Sequence, residues 1–258
     1  MPHAALPLRH ALLALAVVAV WGTNFVVIKA ALATLPPLLF AALRFAFAFL
    51  PVAFFVARPA LPWRVLAAYG GLIGVGQFGL MFIAMRADIT PGLASLVIQT
   101  QVFFTIGLAI ALNGERLKRA QWIALALAAA GLALIAWHVD AATTPLGLAL
   151  VLAAALCWAA GNLVSQRAGR VPMLGFMVWS SLFAAPPLLA LSLLIEGPQA
   201  IVHGLAQAGP GTWTAVLWQS LGNTLFGYGA WAWLLARHPA ATVTPMALLV
   251  PVFGMGAS

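Results

Sequence analysis

Lys29 and Arg44 sit inside long apolar runs, where the chain offers almost no other charge. A cation at membrane depth costs about 3 kcal/mol even on lenient scales, so a cavity, a partner or an anionic ligand normally receives it. The chemistry open to such groups is recognition of an anion. Lys29 lies near the end of its run, close enough to snorkel toward an interface. Arg44 lies about two turns inside its run, where either helix-end carbonyls or a metabolite carboxylate would complement it. Uncharged polar groups form a second set. Asn24 and Asn162 occupy matching places in two distant runs and are expected to meet across a helix interface, in a hydrogen bond to each other or to cargo. Gln77, Gln99 and Gln101 add amides within runs. Gln99 and Gln101 fall about 200° apart on a helix, so Gln99 is expected to face a cavity and Gln101 to face away. Gln219 and Asn223 share one helical face, and Tyr228 and Trp231 share another. Among the tryptophans, Trp21, Trp158 and Trp179 lie deep enough to wall a cavity, although packing alone also accounts for aromatic residues in a bundle. Trp63, Trp137 and Trp213 lie near run ends, as interface anchors do.

Covalent catalysis has little support. His3, His10, His138, His203 and His238 are scattered without metal-ligand spacing, and there is no Gly-x-Ser-x-Gly or phosphate loop. Cys157, the single cysteine, has no partner for an intramolecular disulfide. No enzyme activity, metal or cofactor is expected. The four acids, Asp88, Glu115, Asp140 and Glu196, fall between runs. A proton-coupled carrier usually holds a titratable group within the membrane, so either facilitated efflux or coupling through another group is expected.

The runs themselves define the class. Charged residues make up 6% of the chain against 64% hydrophobic, with a mean hydropathy of +1.07; soluble domains carry about 25% charge. At about 20 residues per crossing, the pattern predicts nine spans: Ala11–Leu32, Pro37–Ala57, Arg64–Met85, Pro91–Leu112, Ala120–Trp137, Pro145–Gln166, Pro172–Ile195, Thr212–Ala236 and Ala241–Ser258. Proline and glycine turns separate them, and proline suits a helix start because it forfeits no intrahelical donor there. The first run outlasts a signal-peptide core and carries polar Asn24 and Lys29, so it reads as a retained span. Arg9, Arg58, Arg64, Arg116, Lys118, Arg119, Arg167, Arg170 and Arg237 occupy alternate connections, whereas the others hold Arg86 with Asp88, Asp140 and Glu196. The positive-inside rule then places the N-terminus in the cytoplasm. The net charge of +8 is topological, with no aromatic-interleaved basic patch for nucleic acid.

An internal repeat is visible in the first and sixth runs. Asn24 and Lys29 align with Asn162 and Arg167 at one offset, 162 − 24 = 138 and 167 − 29 = 138, and Trp21 and Trp158 precede the asparagines. Thr90-Pro91 similarly matches His238-Pro239. Five spans per unit would reverse the second unit in the membrane, giving two inverted repeats, 1–140 and 141–258, with a site near the midplane between them. Four spans in the second unit lead to the expectation that one helix of a ten-helix fold is missing.

On these residues the chain resembles EamA-type transporters of the drug/metabolite transporter superfamily over essentially its whole length. The resemblance rests on Val20-Trp21-Gly22-Thr23-Asn24-Phe25, Leu43-Arg44-Phe45, Gly114-Glu115-Arg116-Leu117 and Gly227-Tyr228-Gly229 with Trp231. A narrower likeness, to bacterial exporters of O-acetylserine and cysteine, rests on Asn24 to Lys29, Phe54 to Pro59, Gly92 to Val97 and Leu248 to Val252. This likeness implies a bacterial inner-membrane exporter of small amino-acid metabolites, surrounded by lipid and compatible with a homodimer. The alternatives are a permease for aromatic or branched amino acids, a non-transporting membrane subunit, or an intramembrane enzyme. The expected binding residues are Asn24, Lys29, Arg44, Gln77, Gln99, Trp158, Asn162, Trp179, Asn223, Tyr228 and Trp231.

Overall fold

Helices form wherever the apolar runs are uninterrupted, because backbone polar groups in hydrocarbon must be satisfied within the segment. A computed structural model describes residues 6–86, 88–136 and 143–257, and all regular structure among them is helical. The first helices are α1 (Leu8–Leu32), α2 (Pro37–Phe49, continued by a 3-10 turn at Val52–Phe54), α3 (Trp63–Ala84), α4 (residues 91–113) and α5 (Arg119–Ala136). They are followed by α6 (Pro145–Ala168), α7 (Met173–Ile195), a short α8 (Pro198–Gln207), α9 (residues 210–235) and α10 (residues 240–257). Six of them, α1 to α4, α6 and α7, are long and apolar enough to cross a bilayer. Shorter apolar stretches lie in α5 and α10, at Gln121–Gly131 and Ala240–Gly254. The chain is an all-α polytopic membrane protein. His3, Trp137, His138, Asp140 and Ser258 lie outside the described residues.

Helix starts follow the sequence signals closely. Proline occupies the first turn of α2, α4, α6, α8 and α9. Thr90 and Thr144 cap α4 and α6, their hydroxyls accepting from the amides of Leu93 and Gly147. Pro186 and Pro187 lie inside α7, which continues past both.

Three features depart from the sequence reading. The stretch after Ile195, read as a connection, contains α8, whose Gly204 rests against the Thr34 carbonyl and Pro36 at the α1–α2 turn. Next, α3 and α9 are not uniform: each widens into a π-helical segment, Gly71–Gly79 and Gln219–Tyr228. Hydropathy is blind to this change, because i→i+5 bonding alters backbone pitch without altering composition. Last, the small-residue spacings Gly70-x-x-x-Gly74 and Gly107-x-x-x-Ala111 behave differently: a Cβ on Gly70 would collide with the Ser180 carbonyl of α7, and one on Gly74 with the Ala184 side chain. Gly107-x-x-x-Ala111 does not act this way, since Gly107 faces open space. Its helix finds neighbours on other faces.

The irregular segments recur at a fixed offset. The π segments begin 219 − 71 = 148 residues apart, and the Thr90-Pro91 and His238-Pro239 turns are 238 − 90 = 148 apart. Asn24 of α1 and Asn162 of α6 are 162 − 24 = 138 apart. The difference, 148 − 138 = 10, equals the ten residues of α8. Packing is reciprocal as well: α1 lies against α9 and α10, while α6 lies against α3 and α4, and α2 packs along α7.

Candidate functional site

Arg44 is the one buried charged side chain among the described residues, 3% exposed. It projects from the middle of α2 toward the π segment of α9. Its Nε donates to Thr224 Oγ1 at 2.6 Å and its Nη2 to Asn223 Oδ1 at 2.9 Å. The guanidinium stacks on the Phe78 ring, 4.1 Å from its centroid, with the Tyr228 ring at 5.5 Å. Each of these contacts is electrically neutral. The π geometry helps supply the receptor: Thr224 Oγ1 donates to the carbonyl of Gln219, five residues back, and Ser220 Oγ donates to the Arg44 carbonyl.

Beside the arginine lies an aromatic group formed by both halves of the chain. The Trp21 ring packs against Tyr228 at 5.0 Å, Trp231 at 5.1 Å and Trp158 at 5.5 Å. Gln77 Nε2 donates to the Tyr228 hydroxyl at 2.8 Å. Gly227 lets Trp21 approach, since a Cβ there would fall 2.7 Å from Trp21 Nε1. A small cavity of about 10 Å³ adjoins Tyr69, Ser180, Thr224 and Tyr228.

Several buried polar atoms have no hydrogen-bond partner within the protein: at this cluster the indole nitrogens of Trp21, Trp158 and Trp231, Gln77 Oε1 and, beside the cavity, Ser180 Oγ, and elsewhere in the interior Gln99 Oε1, Gln219 Oε1 and Gln101 Nε2. Buried polar groups are nearly always satisfied, so the exceptions around Trp21 and Tyr228 call for a functional explanation. The set could bind a small polar molecule through several hydrogen bonds and one charge.

Most of the expected site residues converge here, with specific exceptions. Asn24 and Asn162 do not meet. Asn24 Oδ1 accepts from Gln219 Nε2 at 2.9 Å, whereas Asn162 Nδ2 donates to Gln101 Oε1 and Thr105 Oγ1. Each asparagine thus bonds to a neighbouring helix, because α1 packs against α9 and α6 against α4. Gln99 and Gln101 are both buried, contrary to the expected choice between them. A 3-10 turn at Ile98–Thr100 resets the rotation of α4. Lys29 is exposed in the last turn of α1, where a cation suits the helix C-terminus. Trp179 stands apart, its Nε1 donating to the Val56 carbonyl and its ring packed on Phe49 and Trp63. It anchors the α2–α3 connection, as its position only two turns into α7 dictates. Thr224, Ser220 and Thr105 were missed: hydroxyl residues are common in apolar helices, and the i, i+5 relation of Thr224 to Gln219 matches no α-helical period.

Two carboxylates bridge the halves at opposite ends of the bundle. Glu115 accepts from the amides of Ala240 and Ala241 at the start of α10, at 3.1 and 3.4 Å, and from Gln166 Nε2. Glu196 accepts from the amides of Leu38 and Leu39 at the start of α2, at 2.7 and 3.0 Å, and from Ser192 Oγ. A carboxylate suits a helix N-terminus because unpaired N–H groups and the helix dipole both favour it. Near Glu115, His10 Nδ1 and His238 Nε2 are 2.7 Å apart, one donating to the other.

A helical bundle spanning the membrane, with a polar, singly charged, aromatic-lined cluster buried at the junction of its halves, has the construction of a membrane transporter. The chain belongs to the EamA-like transporter family, which it matches over residues 8–137 and 145–258. It is 42% identical over 256 residues to a probable amino-acid metabolite efflux pump of Salmonella typhimurium, covering 97% of this chain and 86% of that protein. The protein of the same description in Escherichia coli K12 is 40% identical over the same shares. An uncharacterized inner membrane transporter of E. coli, YedA, is 28% identical, covering 96% of this chain and 80% of its own. One solved structure shares the fold, with a TM-score of 0.75 at 22% identity over 97% of this chain and 89% of the other.

Proposed function

We propose that this protein is a bacterial inner-membrane exporter of small amino-acid metabolites, of the cysteine and O-acetylserine kind, working by alternating access. The single observation that carries this reading is Arg44: a buried guanidinium held only by neutral partners and ringed by aromatic and amide groups, which a metabolite carboxylate would complement. The two relatives described as probable amino-acid metabolite efflux pumps support the cargo class. Units 1–140 and 141–258 serve as inverted repeats, with the N-terminus in the cytoplasm. Their reciprocal helix pairing and the offset π segments favour this arrangement. The site comprises Arg44, Asn223 and Tyr228 with Trp158, Trp231, Gln77 and Gln99, while Asn24 and Asn162 support it from flanking helix contacts.

Export of radiolabelled cysteine, O-acetylserine and threonine from cells with and without the protein tests the reading. Efflux should rise several-fold with it, and Arg44→Leu or Asn24→Leu should abolish the gain at unchanged expression. Equal efflux in the two strains would reject the assignment. A second reading, the same machinery carrying amino acids with aromatic or branched side chains, is favoured by the packed Trp21, Trp158, Trp231 and Tyr228 rings. Under it, phenylalanine or leucine would compete with cysteine.

A further inference from the structure

We propose that the cargo crosses as a monoanion, an amino-acid derivative whose amine no longer carries charge, and that the inside-negative membrane potential drives its exit. The inference rests on the exporter reading above and adds the charge state of the cargo and its driving force.

Charge balance carries the argument. Arg44 brings a single positive charge into the interior, and it is the only charged side chain buried among the described residues. Asp88, Glu115 and Glu196 lie at the ends of the bundle, between helices, where Glu115 and Glu196 bind helix starts. A monoanion bound to Arg44 makes the occupied interior neutral. A zwitterion leaves one positive charge uncompensated in a low-dielectric setting, where an unpaired ion is expensive. Its ammonium would find amide oxygens and ring faces there, without a carboxylate.

The unpartnered atoms add a second, independent argument. Trp21, Trp158 and Trp231 each present an indole Nε1–H with no partner, and an indole nitrogen can only donate. Arg44 has five N–H donors; Thr224 and Asn223 take two and the Tyr228 hydroxyl also bonds to the guanidinium, which leaves N–H groups for a ligand. With the arginine N–H groups, these donors outnumber the unpartnered amide oxygens of Gln77, Gln99 and Gln219. They suit a molecule rich in acceptors, such as a carboxylate with a nearby acyl carbonyl, as in an N-acylated amino acid. An ammonium would bring further donors to a site already supplied with them.

The energetic consequence reaches the whole transport cycle. Moving one negative charge out of a cell is favoured by an inside-negative potential, at about 2.3 kcal/mol per 100 mV, equivalent to roughly a fifty-fold accumulation outside. This driving force requires no carboxylate within the membrane. It therefore fits the placement of the described acids, Asp88, Glu115 and Glu196, between the helices.

The test uses the purified protein in liposomes loaded with radiolabelled N-acetylserine, serine or O-acetylserine. A potassium gradient with valinomycin sets the potential, and no proton gradient is applied. N-acetylserine efflux should exceed that of both zwitterions, rise at least ten-fold between inside-positive and inside-negative potentials of 60 mV, and persist with preserved voltage dependence in Arg44→Lys. Arg44→Gln should lose the preference for the anion. Faster release of the zwitterions, or N-acetylserine efflux indifferent to potential, overturns the inference while leaving an exporter in place. Failure of every compound to leave the liposomes removes the exporter reading and the inference together. The voltage comparison uses the unaltered protein, so it stands even where a variant fails to fold.

Discussion

Tyr228 touches more of the candidate site than any other single side chain described here: it accepts from Gln77 Nε2 and its ring packs near Trp21, Trp158, Phe78 and the Arg44 guanidinium. Tyr228→Phe leaves Gln77 buried without a partner on either amide atom, since its oxygen already has none. The expected loss is about 1–3 kcal/mol, read as a lower unfolding temperature in detergent. Adding Gln77→Leu should recover most of it, because removing both partners of a buried hydrogen bond is far less costly than removing one. Equal losses for the single and double variants would contradict this coupling. The histidine pair yields a pH dependence. Burial, reinforced by His10 and Arg237, holds His238 below the ordinary histidine value. As pH falls through about 6.5, the unfolded chain takes up a proton that the folded protein resists, so stability drops on the acid side. Thermal unfolding between pH 8 and 5.5 should show that drop, and His238→Gln should flatten it. Residue type and depth made Arg44, Asn223 and Tyr228 legible in the sequence. Lys29 and Trp179 lie apart from the cluster, because depth along a helix does not say which way a side chain faces.

At the scale of elements, the two carboxylate bridges oppose each other. Glu115 ties α10 to the end of α4 and α6 on the face that carries most of the basic connections, and Glu196 ties α2 to α7 on the opposite face. Each joins the first half to the second, so opening one face requires breaking one bridge and keeping the other. Glu115→Ala should favour opening of the basic face by about 2 kcal/mol, roughly thirty-fold in population, and Glu196→Ala should favour the opposite face. On a Cys157→Ser background, Thr105→Cys should label faster with a membrane-impermeant thiol reagent from the basic side when Glu115 is removed. Ala31→Cys should respond to Glu196 from the other side. Identical labelling with both glutamates intact and removed would dismiss the bridges as gates. Packing gives a further prediction: Gly74→Val drives a branched side chain into Ala184 of α7, and overpacking of this kind costs about 1–3 kcal/mol. Helix existence was legible from hydropathy and proline placement, whereas α8 and the π segments were not. One is short and amphipathic, and the others are changes of backbone pitch with no compositional mark.

Across the whole molecule, the asymmetry of charge between alternate connections sets the orientation expected in the membrane. Alkaline phosphatase fused after Arg58 should be inactive and fused after Gly197 active, since the enzyme matures only outside the cytoplasm; the reverse pattern would invert the topology. Collapsing a proton gradient at constant membrane potential should leave transport unchanged, since the described acids, Asp88, Glu115 and Glu196, lie between the helices.

The sequence by itself determined the class and the placement of most spans, because hydrocarbon imposes apolar length and internal hydrogen bonding on any chain that crosses it. It also singled out Arg44 as a buried cation, since so few charges lie within the runs. Only the tertiary structure decided what surrounds that cation. The π turn of α9 brings Asn223 and Thr224 to it, the packing of α1 against α9 sets Trp21 beside Tyr228, and each asparagine of the repeat bonds to a different neighbour. These are contacts between helices far apart in the chain, fixed by close packing and local pitch, and neither leaves a periodic trace in the order of residues.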